Sequence, residues 1–339
     1  MEQLKIIIFM NFVIIIQLTR IGYFIVIDSL INERPVEIHS TENPIWSLVG
    51  NTPLIPLHKL LARDSSKLKL LGKAEWYNPS GSVKDRPAAR ILRSALETGS
   101  LREGKTFLDS TSGNMGIAYA TLGGAVGVPV HLVIPGNAGP ERMGSLQALG
   151  AQLTISDPLE GSDGAHEAAT EMVRANPERY YFADQYSNEA NWKAHYDGTG
   201  PEIWSQTQGE ATHFIAGMGT TGTIMGTGRY LKEQNPDIKI VAVQPDGPLH
   251  GLEGLKHIAT SPTPEIYDVN VVDEILEVPT EATYQLLRAL AQKHGLLLGI
   301  SAGAAILAAL ELSQRLTKAT IIVLLPDSGL KYLSLPFWG

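Results

Sequence analysis

From Leu68 onward the chain alternates between two hydrophobic patterns. Short apolar runs bounded by Gly, Pro, Asp or Asn predict strands, and longer amphipathic segments predict helices. The predicted strands are Lys69–Trp76, Lys105–Asp109, Val130–Ile134, Gln152–Ser156, Tyr180–Phe182, His213–Ala216, Ile240–Gln244, Leu296–Gly299 and Thr320–Leu325. The predicted helices are Arg86–Thr98, Gly113–Gly127, Glu141–Leu149, Ala165–Ala175, Thr221–Glu233, Glu281–His294 and Ala302–Arg315. This alternation predicts an α/β fold with two lobes, each a parallel-rich twisted sheet flanked by helices.

The apolar stretch Ile6–Ile27 departs from this alternation. Its length approaches the roughly 20 residues that cross a bilayer, but polar residues and Arg20 interrupt it. The segment Met1–Lys5 has no net positive charge, and no small-residue cleavage site follows the stretch, so a secretory signal is disfavoured. We predict an atypical apolar extension over residues 1–40 and a cytoplasmic location, with membrane association as the less favoured alternative.

Chain length and charge limit the remaining possibilities. At about 100 to 200 residues per domain, 339 residues predict two units, an N-terminal α/β lobe over residues 41–190 and a C-terminal one over residues 191–339. The formal net charge of −8 disfavours nucleic-acid binding. The absence of cysteine removes disulfides, thiolate metal ligands and a catalytic thiol. We predict no metal site, and any sulfur chemistry must use sulfur carried by a substrate.

Four strand-to-helix junctions combine glycine with reactive or hydrogen-bonding side chains. In open parallel sheets ligands bind at the carboxyl ends of strands, which is where these junctions lie. They are Asn78-Pro-Ser-Gly-Ser-Val-Lys84-Asp-Arg86, Ser110-Thr-Ser-Gly-Asn-Met-Gly116, Gly217-Met-Gly-Thr-Thr-Gly-Thr223 and Gly299-Ile-Ser-Ala-Gly303.

Lys84 lies in the first turn of a predicted helix, where a cation opposes the helix dipole. One explanation is a solvated lysine whose stem keeps its charge in water. The other is an amine whose pKa is lowered and which acts as a nucleophile toward a carbonyl group. The loop itself leaves both explanations open.

The glycine-rich turn after His213–Ala216 also has two interpretations. Gly217, Gly219 and Gly222, with Asp246 ending the next strand, fit a dinucleotide fingerprint and therefore a nicotinamide-dependent oxidoreductase. Backbone N–H groups and the hydroxyls of three threonines at a helix N-terminus equally suit a compact monophosphate. These threonines are Thr220, Thr221 and Thr223.

The two remaining junctions carry hydroxyl and amide groups at helix N-termini. Thr111, Ser112 and Asn114 can cap a helix or hold a carboxylate, and Ser301 has the same two interpretations. A lysine, a monophosphate cup, a carboxylate cradle and a lone hydroxyl at four strand ends together describe a pyridoxal phosphate site.

The four junctions and the segments around them resemble those of a known enzyme family. The chain resembles the cysteine synthase (O-acetylserine sulfhydrylase) family and its cystathionine β-synthase relatives, which are fold-type II pyridoxal phosphate enzymes with a tryptophan synthase β-like fold. The resemblance covers about residues 44 to 335. Its motifs, in chain order, are Gly50-Asn-Thr-Pro-Leu54, Pro79-Ser-Gly-Ser-Val-Lys84, Thr111-Ser-Gly-Asn114, Gln185-Tyr-Ser-Asn188, Thr199-Gly-Pro-Glu-Ile-Trp204, Gly219-Thr-Thr-Gly-Thr223, Gly299-Ile-Ser-Ala-Gly303 and Leu325-Pro-Asp-Ser-Gly329.

The resemblance implies a role for each motif. Lys84 would bind the cofactor covalently, Asn114 would contact its ring hydroxyl and Ser301 its pyridine nitrogen. The cofactor phosphate would be held by Gly219, Thr220, Thr221, Gly222 and Thr223. The substrate α-carboxylate would be bound by Thr111, Ser112, Asn114, Met115 and Gln185. Met115 stands where the family usually has threonine, so it can contribute only its backbone N–H.

The implied activity is replacement of the β-substituent of O-acetylserine or O-phosphoserine by sulfide, which gives L-cysteine. A homodimer and a serine acetyltransferase partner are implied by the resemblance alone. The nearest enzyme alternative is a cystathionine β-synthase acting on serine and homocysteine. The oxidoreductase and a non-catalytic pyridoxal phosphate-binding protein are the alternatives of other classes.

Overall fold

The computed structural model describes residues 6–9, 13–16, 43–61, 67–102, 104–111 and 113–339. Its strands are β1 (Ile6–Phe9), β2 (Val13–Ile16), β3 (Leu54–Pro56), β4 (Leu68–Ala74), β5 (Thr106–Ser110), β6 (Val130–Pro135), β7 (Gln152–Ser156), β8 (Tyr180–Phe182), β9 (His213–Gly217), β10 (Lys239–Pro245), β11 (Glu274–Val278) and β12 (Ala319–Leu325). Its α-helices are α1 (Asp85–Glu97), α2 (Asn114–Ala125), α3 (Pro140–Ala148), α4 (Gly161–Ala175), α5 (Glu189–Ala194), α6 (Gly200–Gln206), α7 (Gly222–Gln234), α8 (Thr280–His294) and α9 (Ile300–Gln314).

The larger sheet has the strand order β11-β10-β9-β12-β4-β3. Every neighbouring pair is parallel except β3 with β4, which is antiparallel. The central strand β12 pairs with β4 from Ala319 opposite Leu68 to Leu325 opposite Ala74. Strands from both ends of the chain therefore lie side by side beneath the junction that carries Lys84.

The smaller sheet has the order β7-β6-β5-β8, and its strand pairs are all parallel. Both sheets are covered on both faces, so successive residues of one strand enter different cores. In β12, Ile321 and Val323 face one cluster while Ile322 and Leu324 face another. Burial on both faces explains why the strands read as continuous apolar runs, and it confirms the predicted α/β class.

The main predicted strands and helices are confirmed, with ends displaced by a few residues. The predicted strand Leu296–Gly299 is wrong: Leu298 forms only an isolated bridge with Ser328, and α9 begins at Ile300. The Gly299 N–H donates to the carbonyl oxygen of Asp327 at 3.1 Å, which turns the chain into the helix instead of extending a strand.

Several elements have no counterpart in the prediction. They are β3, β11, α5, α6 and a π-helix at His195–Thr199. The predicted extension over residues 1–40 lies outside the described residues, apart from β1 and β2, which pair antiparallel. Over the described ranges, no helix is both long and apolar enough to cross a membrane. The division of the chain at residue 190 stays a prediction, although β3 and β4 join the sheet formed mainly by later residues.

Candidate active site

A cavity of about 130 Å³ opens at the carboxyl ends of β4, β5 and β9, and a smaller hollow adjoins it. Lys84, Asn114, Gly219 and Thr220 line both spaces. The predicted site residues that line one or the other are Thr111, Met115, Gln185, Thr221, Thr223 and Ser301. Gly222 begins α7 directly beside this lining, and Ser112 lies outside the described residues. The structure thus brings the four junctions together around these two adjoining spaces.

Lys84 immediately precedes α1, at the end of a turn that is fixed from two sides. The Val83 N–H donates to the carbonyl oxygen of Pro326 at 2.8 Å, and Ser82 pairs with Asp327. Burial lowers the pKa of the Lys84 amine to about 8. This lysine is therefore much more readily deprotonated than a solvated one, which is the property a nucleophilic amine requires.

The threonine-rich turn between β9 and α7 is shaped for an anion. Thr221 adopts a left-handed backbone with φ of 66°, and its buried hydroxyl has no hydrogen-bond partner among the described residues. A Cβ at Gly219 would lie 2.4 Å from the carbonyl oxygen of Gly254, so only glycine fits there. An orphaned buried hydroxyl at a helix N-terminus fits the phosphate group of the cofactor that the sequence predicts.

His195 contacts this turn through the hydroxyl of Thr223. Its Nε2 lies 3.2 Å from the Thr223 hydroxyl, and its Nδ1 lies 2.8 Å from the Thr199 hydroxyl. Burial, together with the positive charges of Arg86 and Lys84, lowers the pKa of His195 well below its usual value. The imidazole is therefore neutral, and it joins Thr223 to the π-helix without adding charge.

The loop before α2 carries the predicted carboxylate cradle. The hydroxyl oxygen of Thr111 accepts from the backbone N–H groups of Gly113 at 3.1 Å and Gly116 at 3.2 Å. The Gln185 amide donates to the carbonyl oxygen of Ser110 at 2.8 Å, which joins the segment after β8 to this loop. Met115 lines the cavity, is 2% exposed and belongs to the adjoining hydrophobic core. This position therefore contributes an apolar side chain and no side-chain hydroxyl.

Asn114 is held between two opposite charges. Its Nδ2 donates to Asp327 Oδ2 at 2.7 Å, and its Oδ1 accepts from Lys331 Nζ at 2.8 Å. Sequence reasoning did not single out either partner. The Leu325-Pro-Asp-Ser-Gly329 motif was the signal that could have pointed to Asp327.

Ser301 is the second residue of α9 and is 8% exposed. It lines the smaller hollow together with Val83 and Thr223. Ser301 therefore brings a hydroxyl-bearing residue at another helix N-terminus to the lining of this hollow.

Charged side chains in the cavity lining take part in two ion pairs. Arg142 Nη2 lies 2.6 Å from Glu253 Oε2, and Lys256 Nζ lies 2.8 Å from Asp163 Oδ1. The two pairs connect the segment 253–256 to α3, which carries Arg142, and to α4, which carries Asp163. Sequence reasoning missed Arg142, Glu253 and Asp163, since no motif marks them.

Comparison with known proteins agrees with this geometry. The family described as "Pyridoxal-phosphate dependent enzyme" matches residues 45–327. A cysteine synthase of Aquifex aeolicus is 47% identical over 310 residues, covering 90% of this chain and 95% of that protein. Cysteine synthase B of Pseudomonas aeruginosa is 42% identical over 291 residues, covering 86% and 95%.

Solved structures are similar as well. A cysteine synthase from Entamoeba histolytica superposes with a TM-score of 0.81 at 34% identity, covering 91% of this chain and 93% of that one. An O-acetylserine-dependent cystathionine β-synthase from Helicobacter pylori gives 0.82 at 30% identity, covering 87% and 98%. The chain belongs to the cysteine synthase family of pyridoxal-phosphate-dependent enzymes.

Family membership confirms the predicted cofactor, pyridoxal phosphate, and the prediction of an enzyme. Membership in this family does not agree with the alternative of a nicotinamide-dependent oxidoreductase. Asp246, the acid that a dinucleotide site would need, is exposed and is not part of the cavity lining.

Proposed function

We propose that this protein is a cysteine synthase that exchanges the β-substituent of an activated serine for sulfide. The proposal rests mainly on one observation: Lys84, whose pKa is lowered, lines the same cavity as the threonine-rich turn and the carboxylate loop. In the reaction the Cβ–O bond of the serine derivative breaks and a Cβ–S bond forms, so the products are L-cysteine and the released acid.

Pyridoxal phosphate, when bound, withdraws electrons from the substrate α-carbon and so makes its proton removable. The phosphate group would rest on the N–H groups and hydroxyls of the turn formed by Gly219, Thr220, Thr221, Gly222 and Thr223. Asn114 would donate to the ring hydroxyl. Ser301 would face the pyridine nitrogen, and a neutral hydroxyl there holds no proton on that nitrogen, which favours loss of the β-substituent over transamination.

Lys84 would act twice, first as the covalent anchor and then as the general base. Its amine removes the proton from the substrate Cα and returns it after the sulfur has added. A pKa of about 8 suits both directions, because the amine can lose and regain a proton near neutral pH.

The loop from Thr111 to Met115 would bind the substrate α-carboxylate. The side chains of Thr111, Ser112, Asn114 and Gln185 and the Met115 N–H supply the donors in this proposal. Closing this loop over the carboxylate would exclude water from the reacting carbon.

The two ion pairs beside the cavity support O-acetylserine as the preferred donor of the carbon skeleton. Besides Lys84, the cavity lining contains the cations Arg142 and Lys256, and each is paired with a carboxylate, Glu253 and Asp163 respectively. A phosphate dianion that bound to either cation would compete with these carboxylates, and the competition matters most at Arg142, whose side chain is buried. Acetate makes no such demand.

The test is a comparison of donors on the purified holoenzyme. O-acetylserine and O-phosphoserine are each supplied with sulfide or with homocysteine, and the product amino acid is quantified. We expect kcat/KM for cysteine formation to be at least about tenfold higher with O-acetylserine, which is about 1.4 kcal/mol in transition-state stabilisation. Lys84→Ala should abolish turnover. A protein that binds the cofactor but forms no product from any pair would be a binding protein, and the proposal would be wrong.

The assembly and location belong to the same proposal. By resemblance we propose a cytoplasmic homodimer that can bind serine acetyltransferase. Sedimentation of the holoenzyme, alone and with the acetyltransferase, tests both associations. A monomer that shows no change in sedimentation would contradict them.

A further inference from the structure

The side-chain amide of Asn114 has only one possible orientation. A lysine ammonium can only donate hydrogen bonds and a carboxylate can only accept them. Because Lys331 contacts the Oδ1 side and Asp327 the Nδ2 side, exchanging oxygen and nitrogen would break both contacts. The orientation of the amide is thus fixed by these two charged neighbours: the Lys331 ammonium donates to its oxygen, and the Asp327 carboxylate accepts from its nitrogen.

One of the two hydrogens on Asn114 Nδ2 is not used in the contacts with Asp327 and Lys331. The Nδ2 group carries two hydrogens, and one is donated to Asp327. Asn114 lines the cavity together with Lys84. A cation at the oxygen end of an amide polarises it, which strengthens donation by its remaining N–H.

Lys331 also holds the turn that precedes Lys84. Its ammonium lies 3.1 Å from the carbonyl oxygen of Ser80 and 3.4 Å from that of Gly81, in addition to the Asn114 contact. Three acceptors match the three hydrogens of an ammonium group. One side chain thereby joins the lysine turn to the start of α2.

Asp327 makes the complementary connection. Its carboxylate also accepts from the Tyr332 hydroxyl at 2.8 Å, and its backbone pairs with Ser82 and with Gly299, which precedes α9. Asp327 is fully buried. The segment 326–332 therefore contacts three of the four junctions that form the site.

We propose that Lys331 and Asp327 are positioning residues, which orient and polarise Asn114 so that its remaining amide hydrogen is directed at the ring oxygen of the cofactor. The proposal rests on the function proposed above for Asn114. A purely structural role, in which both residues only anchor the end of the chain, is the competing explanation.

The experiment measures the bound cofactor in the holoenzyme. Lys331→Met keeps the length of the side chain and removes the charge, whereas Lys331→Arg keeps the charge. The first variant should shift the absorbance band of the bound cofactor and weaken cofactor retention about tenfold, and the second should restore both. Lys73→Met is the matched control, since Lys73 is fully buried in an ion pair with Glu202 away from the cavity. It should lower the melting temperature and leave the band unchanged.

A double-mutant cycle separates positioning from anchoring. In an Asn114→Ala background, Lys331→Met should produce no further shift of the band, because its effect passes through Asn114. Additive shifts, or a Lys331→Met protein that is less stable but has the wild-type band, would overturn the inference. If Lys331→Met does not fold, the same comparison is made with Lys331→Gln. A wild-type protein without any cofactor band would instead refute the proposed function.

Discussion

The Nε2 atom of His195 lies 3.2 Å from the hydroxyl of Thr223, although 28 residues separate the two positions. His195 begins a π-helix, a rare local conformation that inserts an extra residue into a helical turn. A neutral imidazole can accept from Thr199 at one nitrogen and donate to Thr223 at the other. Thr223 then keeps its own hydrogen for an anion in the cavity.

The first prediction concerns this hydrogen. Thr223→Val removes the hydroxyl and should weaken cofactor retention about tenfold, since hydrogen bonds to charged groups contribute roughly 1.5–3 kcal/mol. The measurement is the absorbance that remains on the protein after dialysis. Thr227→Val is the control, because Thr227 lies one turn further along α7 and its buried hydroxyl has no partner among the described residues. Equal losses in the two variants would contradict the prediction.

The second prediction concerns the pH dependence of Lys84. Its pKa of about 8 means that the neutral amine becomes abundant two to three pH units earlier than for an ordinary lysine, whose pKa is 10.5. After the cofactor is removed, the rate of its covalent reattachment should rise about tenfold per pH unit and level off above pH 8. Stopped-flow absorbance measures this rate. A rate that keeps rising to pH 10 would show an ordinary lysine, and Lys84→Ala should give no attachment.

The third prediction concerns the backbone of Thr221, whose φ of 66° is costly for a residue with a branched Cβ. Thr221→Gly should raise the unfolding free energy of the cofactor-free protein by about 1 kcal/mol. It should also weaken cofactor retention, because a buried hydroxyl is lost. Gln208→Gly, at another positive φ of 53°, is the control and should change only stability. Denaturant titration and dialysis give the two readouts. Unchanged cofactor retention would show that the Thr221 hydroxyl does not contact the cofactor phosphate.

The fourth prediction concerns Asp109, which is fully buried at the end of β5 and accepts from the Ser110 N–H at 2.8 Å. Burial raises its pKa from 3.8 to about 8. The native state therefore keeps a proton that the unfolded state loses, so this group makes stability fall as pH rises from about 4 to 8.

Asp109→Asn keeps the acceptor and cannot titrate, so its stability should fall less over this pH range. Urea unfolding at pH 5, 6.5 and 8 measures the difference. Asp237→Asn, at an exposed position, is the control and should follow the wild-type curve. Parallel curves for the wild type and Asp109→Asn would contradict the prediction.

The sequence predicts what depends on local pattern. The edge strand Gln152–Ser156 is recovered without error, because apolar Leu153 and Ile155 alternate with polar residues, and this alternation is typical of a half-buried strand. The short strand β3, with prolines at positions 53 and 56, gives no such alternation. Leu296–Gly299 has the pattern of a strand, but the hydrogen bond from Gly299 to Asp327 decides its conformation.

The candidate site divides in the same way. Lys84 and the threonine-rich turn lie within compact motifs and can be found from the chain itself. Lys331 and Asp327 contact Asn114 across 217 and 213 residues, so no local pattern can reveal them. Their significance follows only from the topology that joins β4 to β12.

That topology has a consequence for biosynthesis. Strand β4, which leads to Lys84, needs β12 as its parallel neighbour, and β12 begins at Ala319 in a chain of 339 residues. During translation β4 leaves the ribosome long before β12 is synthesised, so the edge of β4 that pairs with β12 stays unpaired through most of synthesis. Lys84, the proposed catalytic amine, therefore acquires its surroundings last, and a protein shortened by its final strand would retain Lys84 without the cavity that surrounds it.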